Sequence, residues 1–162
     1  MSDPWTPSVT VAAVIERDGR YLLVEEEVAG RLVINQPAGH WERGETLAAA
    51  CTREVLEETG YDFVPTALVG IYRWHYPQGS RRGAPAGETE LGVTFLRFAF
   101  AGDLVGWAPD RPLDREIRRV VWLEPEALQA ETARHRSPLV ARCVADRVAG
   151  RCFSLDVLAY LE

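Results

Sequence analysis

The sequence predicts a single α/β domain across residues 1–162, with a mixed sheet flanked by helices. Three observations predict it. Apolar runs of strand character recur along the chain, one well-capped helix interrupts them, and two further helical segments follow the last of them. No internal repeat or linker-like stretch divides the 162 residues, a length that supports a substantial core.

Val9, Val11, Ala13 and Ile15 alternate and mark a first strand; Asp18-Gly19 supplies a turn, and Tyr21–Val24 returns. Gly30 breaks the chain before a short apolar strand at Leu32–Ile34. A helix follows from about residue 47 to 59, with Thr46 as N-cap, Ala48–Ala50 as strong helix formers and Gly60 as terminator. Ala48, Cys51, Thr52, Val55 and Thr59 give that helix a small-to-apolar stripe to set against a core. Leu68–Tyr76, Leu91–Phe100 and Ile117–Leu123 read as further strands, the first two separated by a Gly/Pro/Arg-rich loop at Pro77–Gly87. Pro125 opens a short helix to Ala130, and Pro138–Val148 forms another that ends near Gly150.

The segment Arg53–Glu58, REVLEE, carries the chemistry. Glu54, Glu57 and Glu58 stand at i, i+3 and i+4 and project from one face of the predicted helix, about 120° from the apolar stripe on a 100° wheel. Adjacent carboxylates repel one another. Either Arg53 neutralises a solvated acidic face, or the cluster holds a hard divalent cation such as Mg²⁺, which prefers oxygen ligands.

The wider segment Gly39–Tyr61 has the pattern G-x5-E-x7-R-E-U-x-E-E-x-G-U, where U is a bulky apolar residue. Gly39, Glu45, Arg53, Glu54, Glu57, Glu58 and Gly60 fill its fixed positions; Val55 and Tyr61 fill the two U positions, the second more often aliphatic. This pattern resembles the signature box of the Nudix hydrolases. The runs NQPAGH at Asn35–His40 and RSPLV at Arg136–Val140 extend the resemblance, more loosely, to the NudJ-type subgroup of Nudix phosphatases. The resemblance implies an α/β/α sandwich that hydrolyses diphosphate linkages with Mg²⁺, or alternatively Mn²⁺. It implies Glu54, Glu57 and Glu58 as metal ligands together with the Gly39 carbonyl, one of the glutamates serving instead as general base. Arg53 would orient a glutamate, Glu45 would brace loop and helix, and a distal carboxylate, Glu116 or the neighbouring Asp114, would add a base or ligand.

For the rest of a substrate, Tyr72, Trp74 and Tyr76 share one strand face and either stack on a ring or pack in the core. Arg73, on the opposite face, is a phosphate contact or a surface charge, and His40 a phosphate contact or a structural hydrogen bond. Glu25–Glu27 edge the site or form a solvated strand end, and Arg81 and Arg82 sit on a lid or on a plain surface loop. His75 and His135 have no partner pattern and are read as structural or exposed.

The partner expected is a small-molecule phosphate ester or anhydride: nucleoside tri- or diphosphates, thiamine pyrophosphate or hydroxymethylpyrimidine diphosphate. ADP-ribose or oxidised nucleotides are the alternative, and a non-catalytic nucleotide sensor is the reading from another class. The charge of −6 argues against nucleic acid as partner. No apolar run of membrane-spanning length and no signal pattern is present, and Cys51, Cys143 and Cys152 suit reduced thiols. A cytoplasmic enzyme, monomer or homodimer, is the expectation.

Overall fold

Alternation along the strands builds two apolar cores on opposite faces. In the computed structural model, which describes residues 5–76 and 92–161, Val11, Ala13 and Ile15 enter one core and Val14 the other. Leu22 and Leu23, Leu68 and Val69, and Ala99 and Phe100 divide in the same way. The expected Pro77–Gly87 loop, with Arg81 and Arg82, and the expected strand start at Leu91 lie outside the described residues.

One sheet has the order β5 (Ala38–His40), β1 (Ser8–Ala13), β7 (Val93–Trp107), β6 (Tyr61–Tyr76). It is mixed: β1 and β7 run parallel, while β1 with β5 and β6 with β7 are antiparallel. In the second sheet β3 (Arg20–Val28) pairs antiparallel with β2 (Glu16–Arg17), β4 (Arg31–Asn35) and β8 (Ile117–Leu123). Helix α1 (Leu47–Thr59) seals one core with Leu47, Ala50, Cys51 and Val55 against Phe63 and Phe100. Helices α2 (Pro125–Ala130) and α3 (Leu139–Val148) seal the other with Leu128, Leu139, Val140, Cys143 and Val144. The result is the expected α/β/α arrangement.

The ends of α1 fall where the sequence puts them. Thr46 Oγ1 accepts from the Ala49 N–H at 3.1 Å, and Gly60 closes the helix at φ 72°, donating its N–H to the Leu56 carbonyl.

Strand limits differ more. Strand β6 begins at Tyr61 rather than Leu68, because register shifts around Asp62, Pro65 and Leu68 absorb residues that read as breakers. Strand β7 continues to Trp107 through Gly102 and Gly106; a Cβ on Gly102 would lie 2.1 Å from the Val64 carbonyl oxygen, so glycine marks close strand approach there, not a turn. The first strand ends at Ala13 rather than Ile15, although Val14 still donates to the Phe100 carbonyl at 2.7 Å. Strand β5, three residues with glycine at its centre, is too short to show any period.

Candidate active site

Helix α1 does not present its carboxylates to open solvent. Glu54 and Glu58 are 8% and 7% exposed, and only Glu57 is half-exposed. The buried flank of α1 runs through Leu47, Ala50, Cys51, Val55 and Thr59 and extends around to those two glutamates. Edge strand β5 covers them. The Ala38 N–H donates to Glu58 Oε2 at 2.9 Å, and a Cβ on Gly39 would stand 2.1 Å from Glu54 Oε1. Glycine is required at 39 because a side chain would occupy the carboxylate's place.

Arg53 ties the cluster together. Its Nη1 donates to Glu54 Oε1 at 2.6 Å and to Glu57 Oε2 at 3.2 Å. Its Nε and Nη2 grip Glu45 at 3.1 and 2.8 Å, and Nη2 also donates to the His40 carbonyl at 3.0 Å. Glu45 in turn receives the Glu42 N–H, and its own carbonyl receives Trp41 Nε1–H. One planar guanidinium therefore fixes the approach loop, β5 and two of the three helix carboxylates.

The cluster remains short of positive charge. Burial pushes the Glu58 carboxyl up to about 9; the Ala38 N–H opposes this, and Glu26, Glu54 and Asp114 add to it. Burial also raises Glu54, against the pull of Arg53 and with a further push from Glu57 and Asp114. Asp114 is raised by burial and then by Glu57 and Glu116. Asp114 is held near the helix by its N–H bond to the Glu57 carbonyl at 3.0 Å, and the Glu116 carbonyl receives the Glu27 N–H at 2.9 Å. In this arrangement no three His, Cys, Asp or Glu side chains among the described residues already converge as a cation site. The donor chemistry fits one nevertheless: hard carboxylate oxygens, buried and mutually repelling, are what a divalent cation relieves.

That crowding has a measurable consequence. A carboxyl raised in the folded state binds a proton that the unfolded chain has already lost, so stability falls as pH rises from about 4.5 to about 9. The metal-free protein should lose melting temperature across this window, Glu58→Gln should lose less, and saturating Mg²⁺ should protect most at the alkaline end. Thermal melts at several pH values, with Mg²⁺ and with EDTA, check this; an equal fall in protein and variant would contradict it.

On the other face of β5 lies a cleft. Its floor is the mixed sheet, laid out by strand register in rows. Trp74 pairs with Phe95 in one row, and His40, Thr10 and Arg97 make the next, which Tyr72 continues beyond the cleft. Glu26 and Asn35 wall it from the second sheet, and Arg136, Ser137 and Leu139 wall it from the entry to α3. The two runs NQPAGH and RSPLV meet here: the Arg136 N–H donates to the Ile34 carbonyl at 2.8 Å, and Gln36 Nε2 to the Val140 carbonyl at 2.8 Å.

Several expected residues separate at this point. Trp74, Tyr76 and His40 line the cleft, and Trp74 stacks on Phe95 with centroids 5.5 Å apart. Tyr72 does not line it; its hydroxyl donates to Asp146 Oδ2 at 2.9 Å. Arg73 is not part of it either, since β alternation turns its exposed side chain to the opposite face. Of the three glutamates on β3, Glu25 is held by Arg119 and Arg134, which pull it to about 2, and Glu27 pairs with Arg118; Glu26 alone faces the cleft. His75 meets Thr94 Oγ1 at 3.0 Å and His135 meets the Leu128 carbonyl at 2.9 Å, both outside the site. Thr10, Phe95 and Arg97 carried no sequence signal, because only strand pairing brings them beside Trp74 and His40.

The NUDIX domain family model matches residues 4–143. Phosphatase NudJ of Escherichia coli (strain K12) is 35% identical over 152 residues, covering 94% of this chain and 90% of that protein. The structure of a NUDIX hydrolase from Nitrosomonas europaea superposes with a TM-score of 0.85 at 47% identity, over 96% of this chain and 98% of that one. A UDP-X diphosphatase, at 18% identity and a TM-score of 0.68 over 94% of this chain and 68% of that one, shares the fold. The chain belongs to the Nudix family. It is a Nudix hydrolase, an enzyme of diphosphate bonds, in a family that generally works with divalent metal ions.

Proposed function

We propose that the chain, as one domain over residues 1–162, is a Mg²⁺-dependent phosphatase of small organic phosphates. Nucleoside tri- and diphosphates, thiamine pyrophosphate and hydroxymethylpyrimidine diphosphate are its substrate class. The observation that carries this reading is β5, a single strand with the α1 carboxylates against Gly39 and an aromatic cleft against Ala38 and His40. A ring in the cleft places its diphosphate across that strand, at the carboxylates. The 35% identity with phosphatase NudJ supports the choice of phosphatase.

In this reading Glu54, Glu57, Glu58 and the Gly39 carbonyl hold the cation. When bound, it neutralises phosphate charge and makes water more acidic. Arg53 keeps Glu54 and Glu57 oriented, and the Glu116–Asp114 loop supplies a distal carboxylate. Water attacks phosphorus, the bridging P–O bond breaks, and a carboxylate of Glu54, Glu57 or Glu116 accepts the water's proton. His40, at the end of the cleft nearest β5, meets the phosphates, and Trp74 stacks on the ring. No helix among the described residues is long and apolar enough to cross a membrane.

Release of phosphate and pyrophosphate from GTP, GDP, thiamine pyrophosphate, ADP-ribose and 8-oxo-dGTP, with Mg²⁺ and with EDTA, tests the proposal. Metal-dependent phosphate from the first three is expected; activity confined to the last two would overturn the substrate class. For Trp74→Ala, KM for ring-bearing substrates should rise about tenfold, from roughly 1–3 kcal/mol of stacking, while KM for inorganic pyrophosphate stays close to wild type. Steady-state kinetics give the ratio, and an unfolded variant would instead assign Trp74 to the core.

A further inference from the structure

Arg97 lines the cleft with a guanidinium that no carboxylate among the described residues grips. It sits at the centre of the sheet on β7, 8% exposed, with Thr10 and Tyr72 on either side in register. Its Nε and Nη1 are enclosed and have no hydrogen-bond acceptor among the described residues. Burial lowers its pKa, and the carboxylates of Glu26 and Glu58 oppose this through space without a hydrogen bond to Nε or Nη1. Three acceptor atoms in the same cleft have no hydrogen-bond donor among the described residues, Thr10 Oγ1, Asn35 Oδ1 and Glu26 Oε1, although the last forms an ion pair with Arg136 Nε at 3.5 Å. Buried donors and acceptors left open together are costly to the fold and complementary to a polar guest.

The rows of the floor say which part of a guest meets them. Arg97 follows Phe95 by two residues on one strand face, about 7 Å along the strand. A flat ring on Trp74 and Phe95 therefore turns its edge toward Arg97, Thr10 and Asn35. The same row ends at His40 on β5, so phosphates leaving the β5 side of the ring would pass over His40 and Gly39 toward α1, while the edge above β7 stays over Arg97.

We propose that Arg97 is the specificity-determining residue of the cleft, donating to a carbonyl oxygen or ring nitrogen on the edge of a heterocycle stacked on Trp74 and Phe95. Asn35 Oδ1 and Thr10 Oγ1 accept from an amino or ring N–H beside that acceptor. The guest is an amide- or amidine-edged heterocycle bearing a diphosphate, so this deepens and rests on the proposed function. A purely apolar ring leaves the guanidinium unpaired and is rejected.

The test is equilibrium titration of wild type and Arg97→Met with GDP, thiamine pyrophosphate and inorganic pyrophosphate, in EDTA so that binding is read without turnover. Arg97→Met should weaken GDP or thiamine pyrophosphate at least about tenfold more than it weakens pyrophosphate. Its ligand-free melting temperature should equal or exceed wild type, because methionine removes a buried unpaired charge. Equal weakening of all three ligands, no weakening, failure of wild type to bind either ring-bearing ligand, or a lowered ligand-free melting temperature would each overturn the proposal. Arg97→Lys is judged by the binding criterion alone, since lysine keeps the charge and loses the planar donor set. Hydrolysis plays no part in these readings, so the phosphatase assignment and the Arg97 assignment fail separately.

Discussion

Glu58→Gln and Glu57→Gln should each reduce turnover about a hundredfold or more while leaving the chain folded. The structure separates the two effects. Glu58 is buried, its Oε2 receives the Ala38 N–H at 2.9 Å, and burial favours its uncharged form. A glutamine oxygen accepts the same bond, and its neutrality removes repulsion from Glu26, Glu54 and Asp114. Without metal, Glu58→Gln should melt no lower than wild type at neutral and alkaline pH. Glu57 is half-exposed and touches Arg53 at 3.2 Å, so its amide also costs the fold little. In the proposed metal site, what both variants would lose is anionic oxygen for a cation. Phosphate release and thermal melts check this together; wild-type rates from folded variants would remove the residue from the metal site.

Gly39→Ala should show the opposite economy: a minute change in volume and a large loss of function. The new Cβ would fall 2.1 Å from Glu54 Oε1 and Cδ, far inside any tolerated contact. The atoms in the way are the end of a flexible side chain, so the fold yields by turning Glu54 aside, with a melting temperature within a few degrees of wild type. The carboxylate then leaves both Arg53 Nη1, now at 2.6 Å, and the place it shares with Glu57 and Glu58. A displacement of about 1 Å at a catalytic group costs on the order of a hundredfold in rate. Initial rates under saturating Mg²⁺ decide; activity within threefold of wild type would show that Glu54 need not stand against Gly39.

The sequence made local features legible. The limits of α1, its caps and the common face of Glu54, Glu57 and Glu58 follow from a period and from capping chemistry, both written within a few turns. Burial of Glu54 and Glu58 did not follow, because it is imposed by β5, whose three residues reveal nothing until they pair with β1. The cleft was half legible. Alternation placed Trp74 and Tyr76 on one face, but it also placed Tyr72 there, and only Asp146 on α3 shows why Tyr72 is structural. Glu26 was hidden between two neighbours with salt-bridge partners. Thr10 and Arg97 depend on a parallel pairing across 87 positions of chain, which no local pattern encodes.

Mn²⁺ binding, followed by the loss of the free-ion paramagnetic resonance signal, tests the cation site without depending on substrate. The protein should take up Mn²⁺, Mg²⁺ should displace it, and the double variant Glu54→Gln/Glu58→Gln, still folded, should leave the ion free. Undiminished Mn²⁺ uptake by that variant would contradict the placement of the metal on α1.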